Sequence, residues 1–201
     1  MVRGPVNLLN TLTLGRIFLV PLLVVVLLTG SGGKELLGAA IFAVASLTDL
    51  LDGYLARRRK QVTEIGQWMD PLADKLLITA ALVSLVQMDL APAWMVAIII
   101  GREFAVTALR TLAHARGMTM PASPLGKIKL ISQVVAILAL ILAHGQMWPF
   151  YYIGQAALWV VVITALVSGA DYFRRFNDIL SPRVADIRVA RDQRASDRKA
   201  G

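Results

Sequence analysis

The chain of 201 residues is strongly apolar and basic, and it contains no cysteine. Hydrophobic residues make up 57% of it, its formal net charge is +8, and its mean hydropathy is +0.64. A soluble domain of this size cannot bury so much apolar side chain, so the composition predicts an integral membrane protein and excludes both a disulfide framework and a thiolate metal site.

Six apolar stretches follow one another along the chain, and each approaches the length of about 20 residues that a membrane span needs. Segments rich in Gly, Pro, Ser and Asp separate them. The sequence therefore predicts an all-α fold, a bundle of six transmembrane helices. The predicted spans are Leu8–Thr29, Leu36–Arg57, Gln67–Met88, Pro92–Ala115, Ile128–Ala143 and Phe150–Phe173.

The loop cations indicate how this bundle is oriented, because Lys and Arg accumulate in short cytoplasmic loops. On one side of the predicted bundle the loops carry a single cation, Lys34, and the other loops and the C-terminal segment are rich in Lys and Arg. We therefore expect both termini in the cytosol and no nucleic-acid partner. Residues 1–175 are predicted to form the membrane domain, and residues 176–201 a basic, polar cytoplasmic tail.

Four aspartates interrupt the second and third spans: Asp49, Asp52, Asp70 and Asp74. Helical spacing puts the first pair on one face of the second helix and the later pair on one face of the third. The connecting loop is short, so these helices are expected to be antiparallel neighbours with their carboxylates at similar depth. Inserting one Asp at the centre of a span costs about 2.5 to 3.5 kcal/mol of free energy. We therefore expect cations to neutralise the cluster.

Two divalent ions would supply the missing charge. Carboxylate-only clusters suit hard cations such as Mg²⁺ or Mn²⁺. Gly53 and Gly66 lack side chains where a ligand or the facing helix must come close, and Arg57 can reach an anionic group beside the metals. The pattern predicts a cytosol-facing site in which metals hold a phosphorylated substrate.

The complete spacing is Asp49-x2-Asp52-Gly53-x2-Ala56-Arg57-x8-Gly66-x3-Asp70-x3-Asp74, eight fixed positions over 26 residues. It resembles the signature of the CDP-alcohol phosphotransferase family. The stretches VNLLNTLTLGR, GREFAVTALR and PLGKIKLISQ are similar to the branch of that family that uses glycerol 3-phosphate. The resemblance covers about Val6 to Val167.

This resemblance implies a metal-dependent membrane enzyme that transfers the phosphatidyl group of CDP-diacylglycerol to sn-glycerol 3-phosphate, forming phosphatidylglycerophosphate and CMP. It also implies two Mg²⁺ or Mn²⁺ ions, a homodimer among membrane lipids, and a place in the cytoplasmic (inner) membrane of a bacterium. The motif implies Asp49, Asp52, Asp70 and Asp74 as metal ligands, with Asp74 also the general base. The residues expected to bind CDP-diacylglycerol are Gly53, Ala56, Arg57, Gly66, Asn10 and Thr13.

The dianionic acceptor needs cations in the same cavity. Arg102 lies well inside the fourth span, where an unpaired guanidinium would be expensive, and its neighbour Glu103 could find a partner across the bundle. The residues expected to bind glycerol phosphate are Arg102, Arg110, Lys127 and Lys129. For Arg110 and Lys129, a role as loop anchors is the alternative.

Other functions are also compatible with the motif. Within the family, the acceptor could be phosphatidylglycerol, as in a cardiolipin synthase, or inositol phosphate, as in a phosphatidylinositol phosphate synthase. Outside the family, a small divalent-cation carrier would need ionisable groups across the midplane, whereas here they crowd toward one end. The aspartates could also form interfacial salt bridges with Arg16, Arg57, Arg58 and Lys75.

Overall fold

The structure, a computed structural model, describes residues 8–29, 33–59, 64–115, 124–145 and 148–180. These residues form helices, with no strand in the described ranges, and the connection at 88–92 is described throughout. Within the helices, the side chains at 8–13, 49–72, 74, 114–115, 124–125, 127 and 175–180 are not described. The helices are α1 (Leu8–Leu28), α2 (Lys34–Arg59), α3 (Glu64–Gln87), α4 (Ala93–Ala115), α5 (Pro124–His144) and α6 (Trp148–Leu180).

Each of the six predicted spans coincides with one helix, so the all-α prediction is confirmed for the described part of the chain. The predicted and observed bounds differ most in the last two helices. Helix α5 begins at Pro124 rather than Ile128, and α6 continues past Phe173 to Leu180. The prediction followed apolar character, whereas both extensions are polar helix ends. Helix α6 crosses the predicted domain limit at residue 175, and residues 181–201 of the predicted tail lie outside the described residues.

Membrane-spanning character is clearest in α6. Among the described residues, Trp148–Arg174 is the one stretch that is long and apolar enough to cross a bilayer by length and composition. Shorter apolar stretches occur at Leu14–Leu28, Lys75–Gln87 and Ile128–His144. The six helices are therefore established in the described ranges, and their crossing of a membrane as six spans stays a prediction.

Helix α3 has the most varied surroundings in the bundle. It contacts α1, α2, α4 and α5, while α6 packs against α4 and α5, and α2 packs against α1 and α5. The shared core is built from large apolar side chains that are almost completely buried, including Phe42, Leu77, Leu82, Leu85, Ile99, Ile137, Leu140 and Leu158. This packing brings together, at one end of the bundle, the segments of α3, α4, α5 and α6 that carry the polar residues of the candidate active site.

A tight turn makes α3 and α4 antiparallel neighbours. The Leu90 N–H donates to the Leu85 carbonyl at 2.9 Å, and the Asp89 N–H donates to the Val86 carbonyl at 3.0 Å. Asp89 has a φ of 57°, the left-handed conformation that closes many helices and that Asp tolerates better than most residues. The segment Asp-Leu-Ala-Pro at 89–92, one of those that separate the predicted spans, is therefore a turn, with Pro92 just before α4.

At the same end of the bundle as this turn, Glu35 joins the start of α2 to the end of α5. Its Oε1 lies 3.1 Å from His144 Nδ1, and its Oε2 accepts a hydrogen bond of 2.9 Å from the Gly33 N–H. Hydrogen bonds from its own backbone N–H, from His144 and from Gly33 hold the pKa of Glu35 below its usual value. The carboxylate thus stays charged and ties two helix ends together.

Close packing of α5 against α6 at Gly154 generates a stability prediction. A Cβ atom at Gly154 would lie 2.6 Å from Leu140 Cγ and 3.1 Å from the Leu140 backbone N. We expect Gly154→Ala to lower the free energy of unfolding by about 1–3 kcal/mol through overpacking, less the roughly 0.5–1 kcal/mol that Ala gains over Gly in a helix. Thermal unfolding of the purified protein in detergent measures the change.

The matched control is Gly101→Ala on α4, where an added Cβ would meet nothing within 4 Å. That variant should unfold at the wild-type temperature or above it, because only the helix-propensity gain operates. Equal unfolding temperatures for the two variants would contradict the close approach of α5 and α6.

Candidate active site

A cavity of about 380 Å³ lies between α3, α4, α5 and α6. Its lining includes four cationic side chains, and Glu103 is the one carboxylate among the described lining residues. The cations are Lys75, Arg102, Arg110 and Lys129. They outnumber the carboxylate within largely apolar walls, so the cavity suits an anion.

Glu103 holds two of these cations. Its Oε1 accepts a hydrogen bond of 2.8 Å from Arg102 Nη1, and the same oxygen pairs with Lys129 Nζ. Lys129 is buried, with 4% of its surface exposed. A buried ammonium without a carboxylate would be costly, so Glu103 makes this position of Lys129 tolerable. The pair also joins α4 to α5.

Arg102 is held on its other side by α6. Its Nε and Nη2 donate to Ser168 Oγ at 3.2 and 2.8 Å. Ser168 Oγ in turn donates to the Thr164 carbonyl at 2.5 Å, inside α6. The guanidinium therefore has a fixed orientation between a carboxylate and a hydroxyl, which is how a charged group inside an apolar span is normally accommodated.

Arg110 lines the cavity and is exposed, so it lies at the mouth. Its Nη2 donates to the hydroxyl of the buried Tyr172 on α6, and its Cζ lies 5.0 Å from the centre of that ring. Hydrogen bonding and ring contact restrict the rotamers of Arg110, so this cation is oriented before any ligand arrives.

Gln133 is a further polar residue of the cavity, and its amide nitrogen has no partner among the described residues. It lies one helical turn beyond Lys129 on α5, it is 4% exposed, and its Nε2 makes no hydrogen bond to the described part of the chain. Leaving a buried amide donor unpaired costs about 1–3 kcal/mol. The side chain therefore has unused hydrogen-bonding capacity inside the cavity.

Three of the four residues predicted to bind glycerol phosphate line this one cavity: Arg102, Arg110 and Lys129. Lys127 belongs to α5, but its side chain lies outside the described residues. A role as a loop anchor is the alternative for Lys129. The structure places this residue within α5, where it is buried and paired with Glu103. The ligand-binding role of all four stays a prediction.

The residues of the acidic motif lie on neighbouring helices. Helices α2 and α3 contact each other and both pack against α1, as predicted for the pair that carries the aspartates. Asp49, Asp52, Gly53, Ala56 and Arg57 belong to α2, Gly66, Asp70 and Asp74 to α3, and Asn10 and Thr13 to α1. These side chains lie outside the described residues, so their metal and nucleotide roles also stay predictions.

Sequence reasoning missed three polar residues of the cavity region: Gln133, Ser168 and Tyr172. One signal could have found them. Lys129 and Gln133 are four residues apart on α5, and Ser168 and Tyr172 are four residues apart on α6, so each pair shares a helix face. Polar residues at that spacing within an apolar span usually face the interior of a bundle.

An acidic motif beside a cavity rich in cations defines a class, that of helical enzymes acting on phosphorylated substrates. Comparison with known proteins narrows it. The profile of the CDP-alcohol phosphatidyltransferase family matches residues 6–167. This chain belongs to that family, and the family resemblance inferred from the motif is thereby confirmed.

Curated bacterial relatives are similar over most of the chain. A CDP-diacylglycerol–glycerol-3-phosphate 3-phosphatidyltransferase of Bacillus subtilis (strain 168) is 46% identical, covering 84% of this chain and 94% of the relative. A protein of the same name from Rickettsia felis is 34% identical, with coverage of 84% and 94%. A probable phosphatidylglycerophosphate synthase of Mycobacterium tuberculosis (strain ATCC 25618 / H37Rv) is 37% identical, with coverage of 84% and 81%.

The shared carboxylate oxygen of Glu103 generates a coupling prediction. In a double-mutant cycle of unfolding free energies, Glu103→Gln and Lys129→Met should be coupled by about 0.5–3 kcal/mol, because Glu103→Gln removes the carboxylate that pairs with Lys129, and Lys129→Met removes one of the two cations that pair with Glu103. The double variant should be less destabilised than the sum of the single variants.

The control cycle pairs Glu103→Gln with His144→Ala, at the opposite end of the bundle. These effects should add to within about 0.3–0.5 kcal/mol, because distant sites without shared partners are independent. Additive effects in the Glu103–Lys129 cycle would refute the structural importance of this ion pair.

Proposed function

We propose that this protein transfers the phosphatidyl group of CDP-diacylglycerol to sn-glycerol 3-phosphate, releasing CMP and forming phosphatidylglycerophosphate. The observation that carries the proposal is the cationic cavity next to the acidic motif on α3. Further support comes from relatives named for this reaction, one of them 46% identical over 84% of this chain.

The acceptor phosphate binds in the cavity. Arg110 offers a planar, oriented guanidinium at the mouth, suited to two parallel hydrogen bonds to phosphate oxygens, while Lys129 acts as a point charge within. Arg102 adds its charge from a position fixed by Glu103 and Ser168. Lys127 completes the proposed set. Positioning and charge neutralisation are the main requirements of phosphoryl transfer, and these residues supply both on the acceptor side.

The donor diphosphate binds at the acidic motif. The donor set consists of carboxylates in a chain without cysteine, which fits Mg²⁺ or Mn²⁺, and the proposed ligands are Asp49, Asp52, Asp70 and Asp74. When bound, two such ions would polarise the diphosphate and stabilise the charge on the departing CMP. The proposed nucleotide contacts are Gly53, Ala56, Arg57 and Gly66, with Asn10 and Thr13 from α1.

Asp74 is the proposed general base. It immediately precedes Lys75 and stands one helical turn before Ile78, and both of these neighbours line the cavity. An acceptor held there can present its hydroxyl to this part of α3. The carboxylate accepts the hydroxyl proton as the oxygen forms its bond to the phosphatidyl phosphorus and the bond from that phosphorus to CMP breaks.

The membrane setting is part of the proposal. Large apolar side chains such as Phe18, Ile131 and Phe173 are exposed on the outside of the bundle, as contact with lipid requires. We propose six spans in the cytoplasmic membrane of a bacterium, with the active site and both termini in the cytosol, and a homodimer as the working form. Residues 1–175 then form the membrane domain and residues 176–201 the cytoplasmic tail.

An acceptor assay tests this function. Purified protein supplied with CDP-diacylglycerol and radiolabelled glycerol 3-phosphate should form a labelled lipid with Mg²⁺ or Mn²⁺ and none after chelation of divalent ions. Parallel reactions contain phosphatidylglycerol or inositol phosphate as the acceptor. Turnover with one of these and none with glycerol 3-phosphate would reassign the substrate.

The same assay tests the acidic motif. Asp70→Asn should abolish metal-dependent turnover while the protein still folds, because the motif loses a proposed metal ligand. The matched control is Asp89→Asn in the α3–α4 turn, where Asn also tolerates the left-handed conformation. That variant should keep wild-type turnover. Normal activity of Asp70→Asn would remove this residue from the proposed site.

A further inference from the structure

The unpartnered amide nitrogen of Gln133 has the properties of a substrate-recognition group. Its side chain is buried on the cavity wall, and its Nε2 has no hydrogen-bond partner in the ranges that the structure describes. Gln133 shares a helix face with Lys129, which lines the same cavity one turn away. A ligand bound in the cavity is therefore in a position to supply a partner for this donor.

The surrounding charges indicate which part of the acceptor this amide meets. A phosphate dianion is best held by charged donors, and Arg110 and Lys129 supply them in the same cavity. A glutamine amide is neutral and offers both a donor and an acceptor, which matches an alcohol group that also donates and accepts. Gln133 therefore suits a hydroxyl better than it suits the phosphate.

The apolar residues of the cavity lining also favour a hydroxyl as the partner of Gln133. Leu82 and Ile99, both fully buried, also line the cavity and offer no hydrogen bond. A hydroxyl brought against such walls needs a polar partner, since an unpaired polar group is expensive away from water. The cavity volume of about 380 Å³ is within the range of small-molecule sites and accommodates a three-carbon phosphate.

We propose that Gln133 Nε2 donates a hydrogen bond to the C2 hydroxyl of glycerol 3-phosphate and so selects the glycerol moiety. This inference rests on the proposed function, and it adds a specificity-determining residue to the cation set that binds the phosphate. The consequence is discrimination against 3-hydroxypropyl phosphate, the analogue that lacks only the C2 hydroxyl. A site built to bond a hydroxyl rejects the analogue without it more strongly than an apolar wall does.

The test compares kcat/KM for the two acceptors in the wild type and in Gln133→Leu. The wild type should prefer glycerol 3-phosphate by about 10-fold or more, the ratio expected when one hydrogen bond is lost and its buried partner stays unpaired. Gln133→Leu should lose this preference through a lower kcat/KM for glycerol 3-phosphate, with that for 3-hydroxypropyl phosphate unchanged. Gln133→Met, which keeps the chain length without a donor, should behave in the same way.

The control is Ser84→Ala, which removes a buried hydroxyl outside the cavity lining that donates to the Ala80 carbonyl within α3. Its acceptor preference should equal that of the wild type. An equal loss of kcat/KM on both acceptors in the Gln133 variants would overturn the inference in favour of a phosphate contact or a packing role. An unchanged preference would overturn it in favour of an amide that bonds to water.

The proposed function can fail separately. If the wild type uses neither phosphate acceptor but turns over a different alcohol, both the proposed function and the inference are refuted. If the wild type uses glycerol 3-phosphate and the Gln133 variants keep the preference for it over 3-hydroxypropyl phosphate, only the inference is refuted.

Discussion

The ion pairs of Glu103 are the interaction on which the cavity depends. One carboxylate oxygen serves Arg102 beside it and Lys129 from α5, and Ser168 fixes the far side of the guanidinium from α6. Charged groups inside an apolar bundle persist only with such partners. Because Glu103 is the one carboxylate among the described lining residues, the network keeps cations buried and still leaves the cavity positive.

Helix α3 connects this cavity to the chemistry proposed beside it. It carries Asp70 and Asp74 and continues into the cavity wall at Lys75 and Ile78. The proposed reaction brings together two anionic substrates that repel each other. In the proposal, two separate positive environments overcome this repulsion: side chains of α3 to α5 form one, and divalent cations at the acidic motif would form the other. The proposal places the attacking hydroxyl where the two meet, on α3.

The sequence predicted the helices well, because long apolar runs bounded by Gly, Pro and Asp leave little choice, as the turn at Asp89 illustrates. It was least accurate for the ends of α5 and α6, where a helix continues without apolar residues. It also selected Arg102, since charge inside a span is conspicuous, and it selected Lys129 as a further cation for the anionic acceptor. The spacing from Lys129 could have placed Gln133 on the cavity face, but its unpaired amide nitrogen could not be predicted, because it depends on which groups the packed neighbouring helices leave unbonded.

The acidic motif and the cationic cavity are proposed to form one active site. Phosphorus NMR of glycerol 3-phosphate bound to the protein tests it directly, with paramagnetic Mn²⁺ compared against diamagnetic Mg²⁺. We expect Mn²⁺ to broaden the phosphorus resonance of the bound acceptor, and Arg110→Ala to remove the broadening by weakening acceptor binding. If the acceptor binds and its phosphorus resonance has the same width with Mn²⁺ as with Mg²⁺, the motif and the cavity do not form one site.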